Sequence, residues 1–337
     1  MSKLNVLYQS SNQYAPVAMV SMYSMLLNSK DIDEIDIYLI NSDISNKNID
    51  KIKKIVESFH RKINFISAEF IDKLLAERQI EKWNGSYATF YKLFIIDYLN
   101  VDKILYIDSD TIFSRSALEI CKFDLQDNLL GMAYSAMCGL IRDFYGKAIW
   151  YNAGIIYFNA KEWKRRQITK QVISAVASNA RKRLTMIGDE SLVNVLFSSH
   201  IVKLPLEYNY ESSWWLWGWN KRLYSRLGFS CDVVNYYTFD EIKNAQKNPI
   251  INHYTALTTG RPWDKYNDNR ARKEFNYYYD KLLLKQPLDF YKGTPLKKSN
   301  ISLFFMRLMR RLMPMCYRSE YGFNLHESAW KNAIDRL

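Results

Sequence analysis

The sequence predicts an α/β chain organised around a mostly parallel, twisted sheet. Three observations carry that prediction. Strand-period and helix-period segments alternate through the first hundred residues; the apolar stretch "ILYIDSDTIF" (residues 104–113) carries two carboxylates, Asp108 and Asp110, around Ser109; and no repeat or long flexible linker interrupts the pattern. Open parallel sheets bind ligands beyond the carboxyl ends of their strands, where residues 9–14 and the two aspartates both fall.

Taken in order, LNVLYQ (4–9) reads as a strand, residues 17–28 as a helix and IDIYLIN (35–41) as the next strand. Ser45 is placed to cap a helix reaching residue 58, KINFIS (62–67) is a third strand, and Ser86 opens a helix through residue 98 before the strand KILYID (103–108). Beyond this point LLGMAYS (129–135), IIYFN (155–159) and PIINHY (249–254) read as strands, and residues 169–183 and 189–199 as helices. The expected organisation is one α/β domain over residues 1–285 and a helical appendage over residues 286–337.

A chain of 337 residues with 48% apolar and 15% aromatic content buries a sizeable core and is not disordered in bulk. Four cysteines without a CxxC argue against a structural zinc site and a dense disulfide framework, and a reducing cytosol is the expected home. The N-terminal residues enter a strand without a signal-peptide pattern, and the uncharged, apolar-rich stretch over residues 15–29 is too short and polar to span a bilayer. The net charge of +12 is concentrated near the C-terminus, where residues 291–318 hold seven Lys or Arg and no Asp or Glu. A nucleic-acid groove requires basic residues interleaved with exposed aromatics, whereas this cluster lies in a Met- and Phe-rich amphipathic segment, so no nucleic-acid partner is expected.

An Asp-Ser-Asp after a strand has three readings. It is a turn whose side chains bond backbone N–H groups, a pair of hard oxygen ligands for Mg²⁺ or Mn²⁺ on a diphosphate, or the nucleophile and general acid of a haloacid-dehalogenase-like phosphatase, whose signature "DSDTI" also fits. The phosphatase motif normally stands on the first strand with Gly after its second Asp; here three strands precede it and Thr111 follows. Further along, His253 ends a short strand before "TALTTGRPW", a glycine-containing loop whose Arg261 suits phosphate. In "YNAGIIYFNAKEW" (151–163), Ala153 and Gly154 let a ligand approach the backbone where a strand starts.

Together these segments resemble the retaining glycosyltransferases of family 8. "ILYIDSDTIF" is similar to the family's DxD strand, "YNAGIIYFNAKEW" to its FNAG segment, "GDESLVNVLF" to its acidic helix start and "INHYTALTTGRPW" to its HxxGxxKPW loop, in the family's order from residue 4 to about residue 264. The resemblance implies a single GT-A-type domain and a metal-dependent hexosyltransferase working on a UDP-sugar, UDP-galactose or UDP-glucose. It implies Asp108, Asp110 and His253 as ligands of Mn²⁺ (or Mg²⁺). Gln13 and Tyr14 would meet the nucleotide, with Tyr14 on uracil; Lys92, Ser109, Asn152, Ala153 and Gly154 would line the donor; Gly260 and Arg261 would contact its phosphates. Asp189 and Glu190 match the pair facing the sugar and are the candidate catalytic residues, with one as nucleophile of a covalent route, or with same-face attack in which a leaving phosphate oxygen takes the acceptor proton; a plain helix cap is the other reading of Asp189. The chain departs from the family pattern in three places: "SSNQ" before Tyr14 carries no acid, Lys92 stands for the usual Arg, and Arg261 for the frequent Lys. A non-catalytic sugar-nucleotide binder would keep this fold, but loss of Asp108, Asp110 or His253 would be its mark, and all three are present.

On the acceptor side, "YESSWWLWGWN" (210–220) offers tryptophans that stack on sugars or fill a core. The segment "ISLFFMRLMRRLM" (301–313), projected as a helix, sets three arginines on one face against Phe, Leu and Met, the pattern of a helix lying on an anionic membrane surface. With the resemblance, this predicts an oligosaccharide or lipid-linked glycan acceptor of lipopolysaccharide or related surface-polysaccharide synthesis, and peripheral attachment to the cytoplasmic face of the inner membrane.

Overall fold

A computed structural model describes residues 1–83, 85–136, 150–177, 188–212, 214, 237–255, 261–263 and 272–282. Among them are ten strands: β1 (Lys3–Ser10), β2 (Glu34–Asn41), β3 (Lys62–Ser67), β4 (Lys103–Ile107), β5 (Thr111–Phe113), β6 (Leu130–Met132), β7 (Ile155–Asn159), β8 (Ile201–Lys203), β9 (Tyr210–Glu211) and β10 (Ile251–His253). Seven form one sheet in the order β3-β2-β1-β4-β7-β6-β8, parallel throughout except that β7 runs antiparallel to both β4 and β6. A second sheet, β5-β10-β9, has β10 antiparallel to β5 and parallel to β9.

The strands predicted over residues 4–9, 35–41, 62–67, 103–108 and 155–159 are present to within a residue or two. The helices predicted at 17–28 and 46–58 are α1 (Ala15–Asn28) and α2 (Asn46–Glu57), with Ser45 at the N-cap of α2 but making no side-chain cap bond. The helix predicted over 86–98 is instead a short α-helix, α4 (Tyr91–Phe94), flanked by 3-10 turns at Ala88–Phe90 and Ile95–Tyr98. Its run of buried residues, Phe90 to Ile96, packs on every side, and that packing overrides regular helical register. An unpredicted α3 (Glu69–Glu77) precedes it, after which come α5 (Ala160–Arg165), α6 (Ile168–Ala177), α7 (Gly188–Phe197), α8 (Phe239–Lys247) and α9 (Arg272–Lys281). Residues 178–183 of the helix predicted from 169, Gly260, Trp215, Trp217, Trp219 and the whole appendage from 286 lie outside the described residues.

α1 is buried on nearly all its surface because it lies between the two sheets, and it opens with Pro16, which has no N–H to lose at a helix start. Its few polar residues do the anchoring. Ser21 Oγ lies 2.7 Å from Thr111 Oγ1 and 3.1 Å from the Tyr8 hydroxyl, and Phe113 N–H donates to Ser24 Oγ at 2.9 Å. From the other side, α9 presents Glu274, which accepts Ser114 Oγ and, at 3.0 Å, Asn252 Nδ2. The strand that leaves the Asp108–Asp110 turn and the strand that carries His253 are therefore both fixed by buried or part-buried hydrogen bonds, the kind that cost most to leave unmade. Among the described residues no helix is long and apolar enough to cross a membrane.

Candidate active site

β4 belongs to the large sheet and β5 to the small one, so residues 108–110 form the step between them. Backbone bonds fix this turn: Asp108 N–H donates to Gly154 O at 2.8 Å, and Tyr254 N–H to Asp110 O at 2.9 Å. Ser109 Oγ donates to Gln9 O at 2.8 Å, tying the turn to the end of β1. Register then sets His253 opposite Thr111, and one ligand atom each of Asp108, Asp110 and His253 lies within 4.8 Å of the others. His253 Nε2 is 3.5 Å from Asp110 Oδ1 and 3.7 Å from Asp108 Oδ2.

Two neighbouring carboxylates repel, and the surrounding cations divide between them. Arg261 Nη1 stands 3.1 Å from Asp110 Oδ2, with its guanidinium 5.5 Å from the ring centres of both Tyr14 and Trp263. Lys92 is buried: its ammonium lies 2.8 Å from Asp189 Oδ2 and 3.9 Å from Asp108 Oδ1, donates to Ala153 O at 3.1 Å, and sits 4.2 Å from the Tyr106 ring centre. The Tyr106 hydroxyl donates to Asp108 Oδ1 at 2.6 Å. The two acids consequently separate. Burial pushes Asp108 up, against the pull of Lys92 and with the push of Asp110. Burial also opposes the charge on Asp110, but Arg261 and His253 outweigh it and bring the group down to about 2. For His253, burial disfavours the imidazolium, yet Asp110, Asp108 and Glu211 together raise it.

Two carboxylate oxygens and one imidazole nitrogen converging from a turn and a strand are a donor set for a hard or borderline divalent cation such as Mn²⁺ or Mg²⁺. The fold accommodates that set at a specific backbone position. A Cβ on residue 154 would lie 2.1 Å from His253 Cε1, so the ring occupies space that only glycine leaves open.

The acidic start of α7 lies beside this centre. Asp189 accepts the Thr89 hydroxyl on one oxygen and forms an ion pair with Lys92 through the other. Glu190 accepts Trp150 Nε1–H at 2.7 Å, Asn152 Nδ2 at 3.2 Å and Ala153 N–H at 3.1 Å, which clamps the turn leading into β7. Burial, with Glu211 nearby, carries its carboxyl up to about 7.

Of the residues singled out from the sequence, Lys92, Asp108, Ser109, Asp110, Asn152, Ala153, Gly154, Asp189, Glu190, Arg261 and His253 belong to this one neighbourhood. Tyr14, at the N-cap of α1, joins it through Arg261, while Gln13 is exposed in the preceding turn. Trp214 is a core residue, fully buried with its ring 6.3 Å from that of Tyr237, and so is no platform for a sugar. Sequence reasoning missed Thr89, Tyr106, Trp150, Asn209 and Glu211. Tyr106 carried a signal, since it stands two residues before Asp108 on one strand and shares its face. Asn209 and Glu211, in an aromatic-rich stretch without a period, carried none.

The sequence profile of Glycosyl transferase family 8 matches residues 5–267. Lipopolysaccharide 1,2-glucosyltransferase of Escherichia coli K12 is 26% identical over 83% of this chain and 86% of its own length. Glycosyltransferase GlyE of Streptococcus pneumoniae is 24% identical over 70% of this chain; the chain spans 52% of GlyE, and 30% and 61% of the related GlyA and GlyF. Among solved structures, the galactosyltransferase LgtC in complex with donor and acceptor sugar analogues superposes with a TM-score of 0.65 at 19% identity, covering 82% of this chain and 96% of LgtC, which shows a shared fold.

Proposed function

The chain belongs to glycosyl transferase family 8, and from that premise we propose that it moves a hexose, galactose or glucose, from a UDP-sugar to a surface-glycan acceptor with retention of configuration. The observation that carries this reading is the convergence of His253, distant in sequence, on Asp108 and Asp110, next to the Tyr14–Arg261 pair and the clamped turn at residues 152–154. The three ligands would hold Mn²⁺ or Mg²⁺, which when bound supplies positive charge to the donor diphosphate and the departing UDP.

The chain's own groups have distinct tasks in this reading. Tyr14 offers a face for uracil, and Arg261, already beside it, turns its guanidinium to the phosphates, with Gly260 preceding it. Glu190 holds Asn152 and Ala153 so that their backbone and that of Gly154 line the sugar. Lys92 holds Asp189 in place through their buried ion pair. For the stereochemical route, the oxygens of Asp189 and Glu190 are all engaged by donors or by Lys92, which favours same-face attack over a covalent glycosyl-enzyme. The test is hydrolysis and transfer across a panel of UDP-sugars with and without Mn²⁺; metal-independent turnover, or none with any UDP-sugar, would overturn the reading.

Lipopolysaccharide or a related lipid-linked glycan is the proposed acceptor class, reached by peripheral attachment of the basic appendage to the anionic cytoplasmic face of the inner membrane. Deleting residues 300–337 is expected to release the protein from anionic vesicles, and unchanged partitioning would defeat this part.

A further inference from the structure

Beyond the three ligands runs a buried chain of side-chain amides whose donor and acceptor ends can be assigned without seeing a proton. It begins at a group that cannot be reversed: the backbone N–H of Gly154 donates to Asn152 Oδ1 at 3.0 Å. This fixes which end of the Asn152 amide is oxygen, since the opposite orientation would set two donors against each other. Asn152 Nδ2 then faces Glu190 Oε2 at 3.2 Å, a second contact that agrees. With its oxygen so placed, Asn152 can only accept from Asn209, whose Nδ2 lies 2.9 Å away. Asn209 therefore turns its own Oδ1 to the next group in line, His253 Nδ1, at 3.0 Å. An amide oxygen only accepts, so Nδ1 must carry the proton. All three residues are buried, with Asn209 0% exposed and His253 3%, so water does not compete for these bonds.

We infer that Asn209, oriented by Asn152 and ultimately by the Gly154 backbone, is a positioning residue that locks neutral His253 as its Nδ1–H tautomer and leaves the Nε2 lone pair aimed between Asp108 and Asp110. A metal-ligating imidazole is oriented by the hydrogen bond at its other nitrogen, and losing that partner typically weakens metal binding about 10- to 100-fold. The inference rests on the metal site proposed above for what the lone pair does, but not for where the proton sits. The same amide chain couples the donor-lining turn to the ligand, because Asn152 serves both.

The test uses the full metal-free protein with ¹⁵N-labelled histidine at alkaline pH, where the ring is neutral, with the resonance assigned by loss in His253→Gln. Long-range ¹⁵N–¹H correlation is expected to show Nδ1 protonated and Nε2 bare. In Asn209→Leu that preference should collapse towards a tautomer mixture and Mn²⁺ affinity, read by electron paramagnetic resonance, should fall about 10- to 100-fold. Asn209→Asp keeps an acceptor facing Nδ1 but sets its second oxygen against the accepting Asn152 Oδ1; it should restore the Nδ1–H tautomer while recovering only part of the affinity, which shows that the Leu effect on the tautomer is not simply misfolding. An Nε2–H ring in the wild type, or Leu and Asp variants that behave alike, overturns the inference. An Nδ1–H ring that responds as described, in a protein that binds no Mn²⁺ at all, would leave the tautomer lock standing and refute the metal reading instead.

Discussion

The imidazole of His253 fills the space that a side chain on Gly154 would take, with Cε1 only 2.1 Å from where a Cβ would stand. Gly154→Ala must therefore push the ring or its strand aside. Overpacking of this kind costs about 1–3 kcal/mol. The expected outcome is a modest drop in the urea midpoint together with loss of detectable Mn²⁺ binding, and an alanine variant that binds Mn²⁺ like the wild type would contradict the seating described for the ring.

Lys92 and Asp189 form a buried pair at 2.8 Å. Removing one member strands the other, at about 3–5 kcal/mol. Lys92→Met should show a loss of this size in denaturant unfolding, and adding Asp189→Asn should recover most of it; additive losses would mean that the pair is not a unit.

Glu190 gives the stability a definite pH dependence. Burial lifts its carboxyl from 4.5 to about 7, so over that window the folded chain holds the proton more tightly than the unfolded chain. Stability attributable to this group accordingly falls as pH rises from 4.5 to about 7 and is level above. In Glu190→Gln the wild-type-minus-variant difference should decline by roughly 3 kcal/mol across the window. A difference independent of pH would show that the group titrates normally.

Ligand-linked stabilisation provides a check on the proposed metal site that needs no substrate. Mn²⁺ at a hundredfold excess over its Kd should add about 2.7 kcal/mol to unfolding. The accompanying rise in Tm should vanish in Asp110→Asn and His253→Ala, and a rise that persists in both variants would place the ion elsewhere.

Much of this centre was legible in the sequence because its parts are local. The strand ending on Asp108, the small residues at 153–154, the acid pair at 189–190 and the His253 strand each carry a pattern within a dozen residues. What stayed hidden was created by contacts between distant segments. β5 could not be separated from β4 because one apolar run, residues 104–113, supplies both, and only the second sheet pulls Thr111–Phe113 away. Asn209 has no local signature, since its role arises from Asn152 and His253, 57 and 44 residues away. The helix expected at 86–98 breaks into shorter turns for a related reason: residues 90–96 are buried on every side, and packing against distant segments overrides their local preference.

The small sheet also orders the protein's assembly in time. β10 enters between β5 and β9 and brings the imidazole, so a nascent chain holds Asp108 and Asp110 well before it holds His253. At the usual pace of translation that interval is on the order of ten seconds. Lys92, whose ammonium lies 3.9 Å from Asp108 in the folded protein, has been made by then. The proposed centre is complete only once the ribosome has passed residue 253, and a truncated product ending before β10 carries both acids without the imidazole that joins them among the described residues.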